Sequence, residues 1–278
     1  MRPDVKTYII IRNMKKKIYL ILAVAMLLTS CASVPLTGRK RVMLVSDAEV
    51  LSSSLTQYNE YMNTAKKSTS TQGQAQVSRV GKNIAKATEN FMNANGLADD
   101  IPNYSWEFTL VQDEEMNAFC MPGGKIVVYE GLLKLGLSDA ELATVIGHEV
   151  GHAVAKHSNE RLSQQMIAQY GAYILSAALS AKSEAAQALG QQVYGLGAEY
   201  GVMLPFSRQH EFEADYMGQI FMAMAGYDPA VAVTFWEKMV ASGSGASIPA
   251  LLSSHPSDEK RIARLKENIP TAQQYYKK

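Results

Sequence analysis

Two histidines four residues apart, with a glutamate directly after the first, stand in the stretch His148-Glu149-Val150-Gly151-His152. On a helix, residues four apart are rotated by only about 40°, so His148 and His152 can offer both imidazoles to one ion from one face. Glu149 lies on the flank, where its carboxylate can reach an attacking water without itself occupying the metal. A catalytic zinc needs a third protein ligand, and "PFSRQHEFEAD" supplies Glu211 with Asp215 one turn further on the same face. Asp215 is expected behind the ligands, accepting a hydrogen bond from a ligand histidine and fixing its tautomer. Glu213, rotated by about 200° from Glu211, is expected to face away. Arg208, seven residues before Asp215 on nearly the same face, is a candidate partner for that carboxylate or a surface ion pair. His157 falls about 180° from His148 on a continuous helix and is expected in solvent. His210 and His255 remain candidates to stabilise an oxyanion, as does a tyrosine. Cys120 reads as a small packed side chain rather than a ligand.

Elements that could hold these residues can be traced along the chain. Ser46-Asp47-Ala48-Glu49 and Ser138-Asp139-Ala140-Glu141 are capping boxes. The first opens a helix to about residue 65, and the second opens the helix that carries His148. Val77, Val80, Ile84 and Phe91 recur at helical spacing. "SWEFTLVQD" and "GGKIVVYEG" read as two strands joined by a loop that turns at Gly123-Gly124. Residues 162–181 carry no charge but several Ser and Gln, which favours a helical hairpin over a membrane span. Further helices are expected over about 207–225, after Asp228-Pro229, and after His255-Pro256-Ser257. The fold class is therefore mainly α with a small β-sheet, an α+β single domain over residues 46–270 with a tail at 271–278.

Six of the 27 basic residues and one of the 26 acidic residues precede residue 31, so the remainder is net acidic and no nucleic-acid partner is expected. Lys15, Lys16 and Lys17 ahead of the apolar run Ile18 to Leu28 form the layout of an export signal over residues 1–30. That run is shorter than the roughly 20 residues a bilayer-spanning helix needs. Small residues before Cys31 resemble a bacterial lipobox, which would make Cys31 an acylated first residue and residues 31–45 a lipid-anchored tether. Cys120 would then be the one remaining thiol, with no internal disulfide.

The pair His148-Glu149-Val150-Gly151-His152 and Glu211-Phe212-Glu213-Ala214-Asp215 resembles the M48 zinc metallopeptidases, supported by "NAFCMPGGKIVVYEGLL" and "SSHPSDEKRIARL". The resemblance covers most of residues 40–268 and implies a gluzincin, zincin-like fold with one zinc per chain. It implies His148, His152 and Glu211 as ligands, Glu149 as the base that takes the proton of the attacking water, and peptide bonds as the target. An edge strand near Asn117 would hold the substrate backbone by strand addition, although Asn117 could equally cap a turn. His255 would close over the zinc as a latch or serve the oxyanion. The expected setting is a bacterial lipoprotein at the outer membrane facing the periplasm, acting on unfolded or misassembled envelope proteins. The alternative is a non-proteolytic assembly factor that holds the same clients in the same groove.

Overall fold

The computed structural model describes residues 31–199, 203–242, 250–255 and 259–276. The signal segment expected over residues 1–30 lies outside these. A two-stranded antiparallel ribbon, β1 (Cys31–Ser33) and β2 (Lys40–Val42), opens the described chain. Helices α1 (Asp47–Thr64) and α2 (Thr71–Ala94) follow. Ser46 and Glu49 cap α1 reciprocally, as their spacing requires. After a 3-10 segment come β3 (Glu107–Val111), β4 (Ala118–Met121) and β5 (Lys125–Tyr129). The short α3 (Glu130–Leu133) leads to α4 (Asp139–Val154), α5 (His157–Leu179), α6 (Glu184–Ala198) and α7 (Leu204–Met224). Then come α8 (Val231–Ser242), α9 (Ala250–Ser254) and α10 (Glu259–Gln273).

The mainly helical, small-sheet architecture expected from sequence is the one observed. The sheet order is β3-β5-β4, with β5 parallel to β3 and antiparallel to β4. The edge strand that the resemblance implies near Asn117 is β4, four residues long and too short to show a period of its own. Gly123-Gly124 does make a tight turn, but between β4 and β5. Both glycines have positive φ, 93° and 82°, in the region a side chain avoids.

Residues 31–45 are not a loose tether. Val34 is fully buried in the main core and Arg41 is only 6% exposed, because the ribbon folds back onto α5. The C-terminal boundary also moves. Ala272 is fully buried, and that packing carries α10 past Pro270, which lacks only one helix hydrogen bond.

At the centre lies α4, packed on α7, α2, α8 and β4. Its contact with α7 is backbone on backbone. A Cβ on Gly151 would sit 2.7 Å from the Ala214 carbonyl oxygen, and one on Gly218 would sit 2.8 Å from the His148 amide nitrogen. The uncharged run 162–181 lies on α5 and the turn that ends it, as one arm of a hairpin whose second arm, α6, follows; the two pack on each other and leave Tyr170, Tyr173, Ile174, Leu189 and Val193 exposed. Among the described residues no helix is long and apolar enough to cross a membrane.

Replacing Gly151 by Val should force α4 and α7 apart. Overpacking of this kind costs about 1–3 kcal/mol, read as a melting temperature lower by several degrees in a calorimetric scan.

Candidate metal centre and active site

The crossing of α4 over α7 sets Glu211 opposite the two histidines of α4. His148 Nε2 and His152 Nε2 lie 3.0 Å apart, and Glu211 reaches them at 3.2 Å and 3.4 Å. His255, just after α9, adds Nδ1 at 3.1 Å from His148 Nε2 and 3.1 Å from Glu211 Oε2. All four donor atoms lie within 4.8 Å of one another. A zinc tetrahedron with bonds of about 2.0–2.1 Å has edges of about 3.3 Å, so these separations fit one zinc ion. The charges fit as well. Burial and Arg261 press His148 down, yet Asp215 and Glu211 outweigh them and lift it to about 9, so the site favours a positive charge at that ring. Burial drives His152 down to about 3 despite Glu211, leaving a neutral imidazole with a lone pair to give.

Behind His148 the expected carboxylate is in place: Asp215 Oδ1 is 2.8 Å from His148 Nδ1. Its cationic partner is not Arg208, which is exposed, but Arg261 of α10. Arg261 donates from Nε to Asp215 Oδ2 at 2.6 Å and from Nη2 to Oδ1 at 2.9 Å, and it lies 3.2 Å from Glu211. Its guanidinium, 1% exposed, also lies 3.9 Å from the Trp236 ring centre and donates to the His255 carbonyl at 2.9 Å. Burial alone would raise the Asp215 carboxyl, but Arg261 and His148 hold it below the usual range. Sequence spacing could not find Arg261, because its pairing spans two elements far apart in the chain.

Glu149 lines the open side. Its Oε2 accepts from the Cys120 amide at 3.0 Å, whereas the buried Oε1 makes no hydrogen bond and lies 3.2 Å from His255 Nε2. Cys120 itself is no ligand: burial, then Glu149, raises its thiol well above the ordinary value and keeps it protonated. Asn117 stands at the entrance to β4, its side-chain oxygen accepting from the Ala118 amide at 2.9 Å and its carbonyl accepting from the Tyr129 amide at 3.1 Å. His255 directly follows the short helical turn of α9. The Leu251 amide fixes that turn to the Met116 carbonyl at 3.0 Å, and the His255 amide bonds Leu251. Pro256 lies outside the described residues.

One expectation of solvent exposure is corrected. His157 is 2% exposed and touches His152, because Lys156, in the left-handed conformation at φ 53°, breaks the helix and cancels the rotation counted along it. Glu213 faces away from the metal donors, yet it is buried, bonded to His157 and Arg39. His210 is absent from the donor cluster. Its ring stacks on His157 at 4.2 Å and its Nε2 lies 3.1 Å from Glu160.

A groove of about 510 Å³ runs past Glu149, His152 and His255. Phe119 to Met121 of the edge strand β4 and Pro122 after it line the groove together with Ser53, Ser54 and Gln57 of α1 and Arg161 and Leu162 of α5.

A zincin-like domain built around a four-donor zinc site is the class this fold and geometry define. Residues 71–269 match peptidase family M48, and the chain belongs to that family, whose members are zinc metallopeptidases. It is 35% identical over 191 residues to a protein of Schizosaccharomyces pombe named mitochondrial metalloendopeptidase OMA1, covering 68% of this chain and 53% of that one. An Arabidopsis thaliana protein of the same name is 41% identical over 181 residues, 64% of this chain and 34% of that protein. The beta-barrel assembly-enhancing protease of Escherichia coli is 31% identical over 165 residues, 57% and 33% of the two chains. The chain thus spans about half or less of these relatives' lengths. The mitochondrial names overturn the expected outer-membrane location. That expectation rested on the likeness of the residues before Cys31 to a bacterial lipobox, a signal with meaning only where a bacterial lipoprotein pathway reads it.

Replacing Arg261 with Met should strand Asp215 as a buried, unpaired charge. Breaking such a pair costs about 3–5 kcal/mol, so the variant should unfold at clearly lower denaturant and retain less zinc. Asp215→Asn should weaken zinc retention by roughly 10–100-fold, measured by competition with a chromophoric chelator.

Proposed function

We propose that this chain is a zinc-dependent endopeptidase in which His148, His152 and Glu211 hold the metal and Glu149 handles the proton. The observation that carries this reading is the position of Glu149, beside the donor cluster with one oxygen anchored and the other free. A bound zinc supplies Lewis-acid polarisation and makes water more acidic. The anchored Oε2 keeps the carboxylate turned toward the groove. The free Oε1 accepts the proton of the attacking water and later passes it to the nitrogen of the leaving amine. A pure binding protein has no need of this second carboxylate, which disfavours the assembly-factor reading.

The substrate backbone adds as a strand along the free edge of β4, where the Cys120 amide already points away from β5 toward Glu149. Recognition through main-chain hydrogen bonds is nearly blind to side chains and requires an extended segment, so unfolded or misassembled proteins are the substrate class. In the arrangement observed, His255 fills the space between the metal donors and Glu149 that a scissile carbonyl would need, and the protein rests in a latent state. Movement of α9 would open it. The apolar run Ile18 to Leu28, directly ahead of the ribbon, supports a position close to a membrane, through that run itself or an acyl chain on Cys31.

Glu149→Gln should bind zinc normally in metal analysis and lose at least about 10²-fold in cleavage of a denatured protein. Retained cleavage would defeat the proposal, and the assembly-factor reading predicts that client capture survives the change. His255→Ala should raise the basal cleavage rate in the same assay. A fall would instead assign His255 to the oxyanion.

A further inference from the structure

Behind His152, on the side away from the metal donors, lies a second line of buried polar groups. His152 Nδ1 is 2.9 Å from His157 Nδ1, and His157 Nε2 is 3.0 Å from Glu213 Oε2. Arg39, in the turn of the N-terminal ribbon, donates to Glu213 from Nε at 2.7 Å and from Nη2 at 3.0 Å. The same guanidinium reaches both oxygens of Glu160 at 2.7 Å, and Thr37 adds a hydroxyl to Glu213 at 3.1 Å. His157, Glu160 and Glu213 are each at most 2% exposed. Groups so deeply buried are kept only when every proton has a place to go.

The protons can be assigned from one end. An ionised carboxylate only accepts, so His157 donates from Nε2 to Glu213. A neutral imidazole carries one donor and one acceptor, so His157 Nδ1 accepts. Two Nδ1 atoms 2.9 Å apart share a single proton, and it must therefore sit on His152. His152 is left with its lone pair on Nε2, the atom that faces His148 and Glu211. The opposite assignment would place a proton on Nε2 and remove the ligand.

We propose that Glu213 and His157 are positioning residues that fix the metal-binding tautomer of His152, with Arg39 clamping the far end of the relay. The inference rests on the zinc peptidase reading and deepens it. His148 receives its orientation directly from Asp215, whereas His152 receives it through an interposed imidazole. The arrangement also gives the N-terminal ribbon a task, because Arg39 orders the carboxylate on which the proton assignment depends.

Nitrogen-15 NMR of the imidazoles in the full-length, zinc-loaded protein tests this without any substitution. The expected spectrum shows His157 protonated at Nε2 and bare at Nδ1, and His152 protonated at Nδ1. A proton on Nδ1 of His157 overturns the proposal. In chelator competition, His157→Leu should bind zinc roughly 10–100-fold more weakly. His157→Asn, whose amide oxygen can accept the same proton, should recover most of that loss. The cobalt-substituted protein should show a changed visible absorption spectrum in His157→Leu and a near-native one in His157→Asn. Zinc affinity within twofold of the unaltered protein in a folded His157→Leu, or an Asn variant no better than Leu, also overturns it. If His157→Leu does not fold, the tautomer spectrum and His157→Asn decide. An unaltered protein that binds no zinc would sink the peptidase reading, and the relay with it. Zinc binding with the wrong tautomer sinks the relay alone.

Discussion

The close crossing of α4 and α7 is the constraint on which the rest depends. Gly147 and Gly151 on one helix meet Ala214 and Gly218 on the other, with no room for a larger side chain. Only at that separation can Glu211 touch both histidines while Asp215 reaches behind His148. The same crossing swings Glu213 toward His157. Three acidic residues at alternate positions of one helix thus play different parts: Glu211 is itself a metal donor, Asp215 supports the donor His148 from behind, and Glu213 holds His157 beside the donor His152. A small packing requirement at the backbone therefore sets the geometry of every polar contact in the centre.

Packing several carboxylates into an apolar core demands compensation, since an unpaired buried charge is costly. Two arginines supply it from opposite ends of the chain. Arg261, on the last helix, neutralises Asp215 and approaches Glu211, and Arg39, in the first turn, binds Glu213 and Glu160. Neither makes a contact that could be exchanged for Lys without losing part of a planar, two-pronged donor set. The centre is consequently complete only when both ends of the domain have closed on it. The ribbon, α10 and the helices that carry the motifs behave as one cooperative unit.

Much of this was legible in the sequence where chemistry and local periodicity coincide. His148, His152 and Glu211 meet as their spacing implied, and both capping boxes formed because their hydrogen bonds involve only neighbours. Reading failed where a long-range contact decides. His157 was misplaced by counting turns through Lys156, a left-handed residue that resets the rotation. Glu213 faces away from the metal donors as its rotation implies, but its partners His157 and Arg39 lie on other elements and no spacing along one helix points to them. Residues 31–45, expected as a tether, pack on the domain. Their burial comes from Val34 and from charges whose partners lie far along the chain. Strand β4 is too short to show a pattern, so the edge strand near Asn117 is implied by the resemblance and not by periodicity.

The α5–α6 hairpin bears on how the two halves of the centre can be spaced. No described residue between Ser163 and His210 is buried. The chain leaves the core after the first motif, runs out and back, and re-enters just before the second. Nothing in the metal cage depends on how far it travels in between. The hairpin is therefore a place where length can change freely: it could be shortened, extended or exchanged for another module while the two catalytic helices keep their crossing. A search for distant kin that insists on a fixed number of residues between the two motifs would pass over chains whose cages are the same. For protein engineers, the same excursion offers a port into which a binding domain could be spliced, placing a chosen target beside the groove.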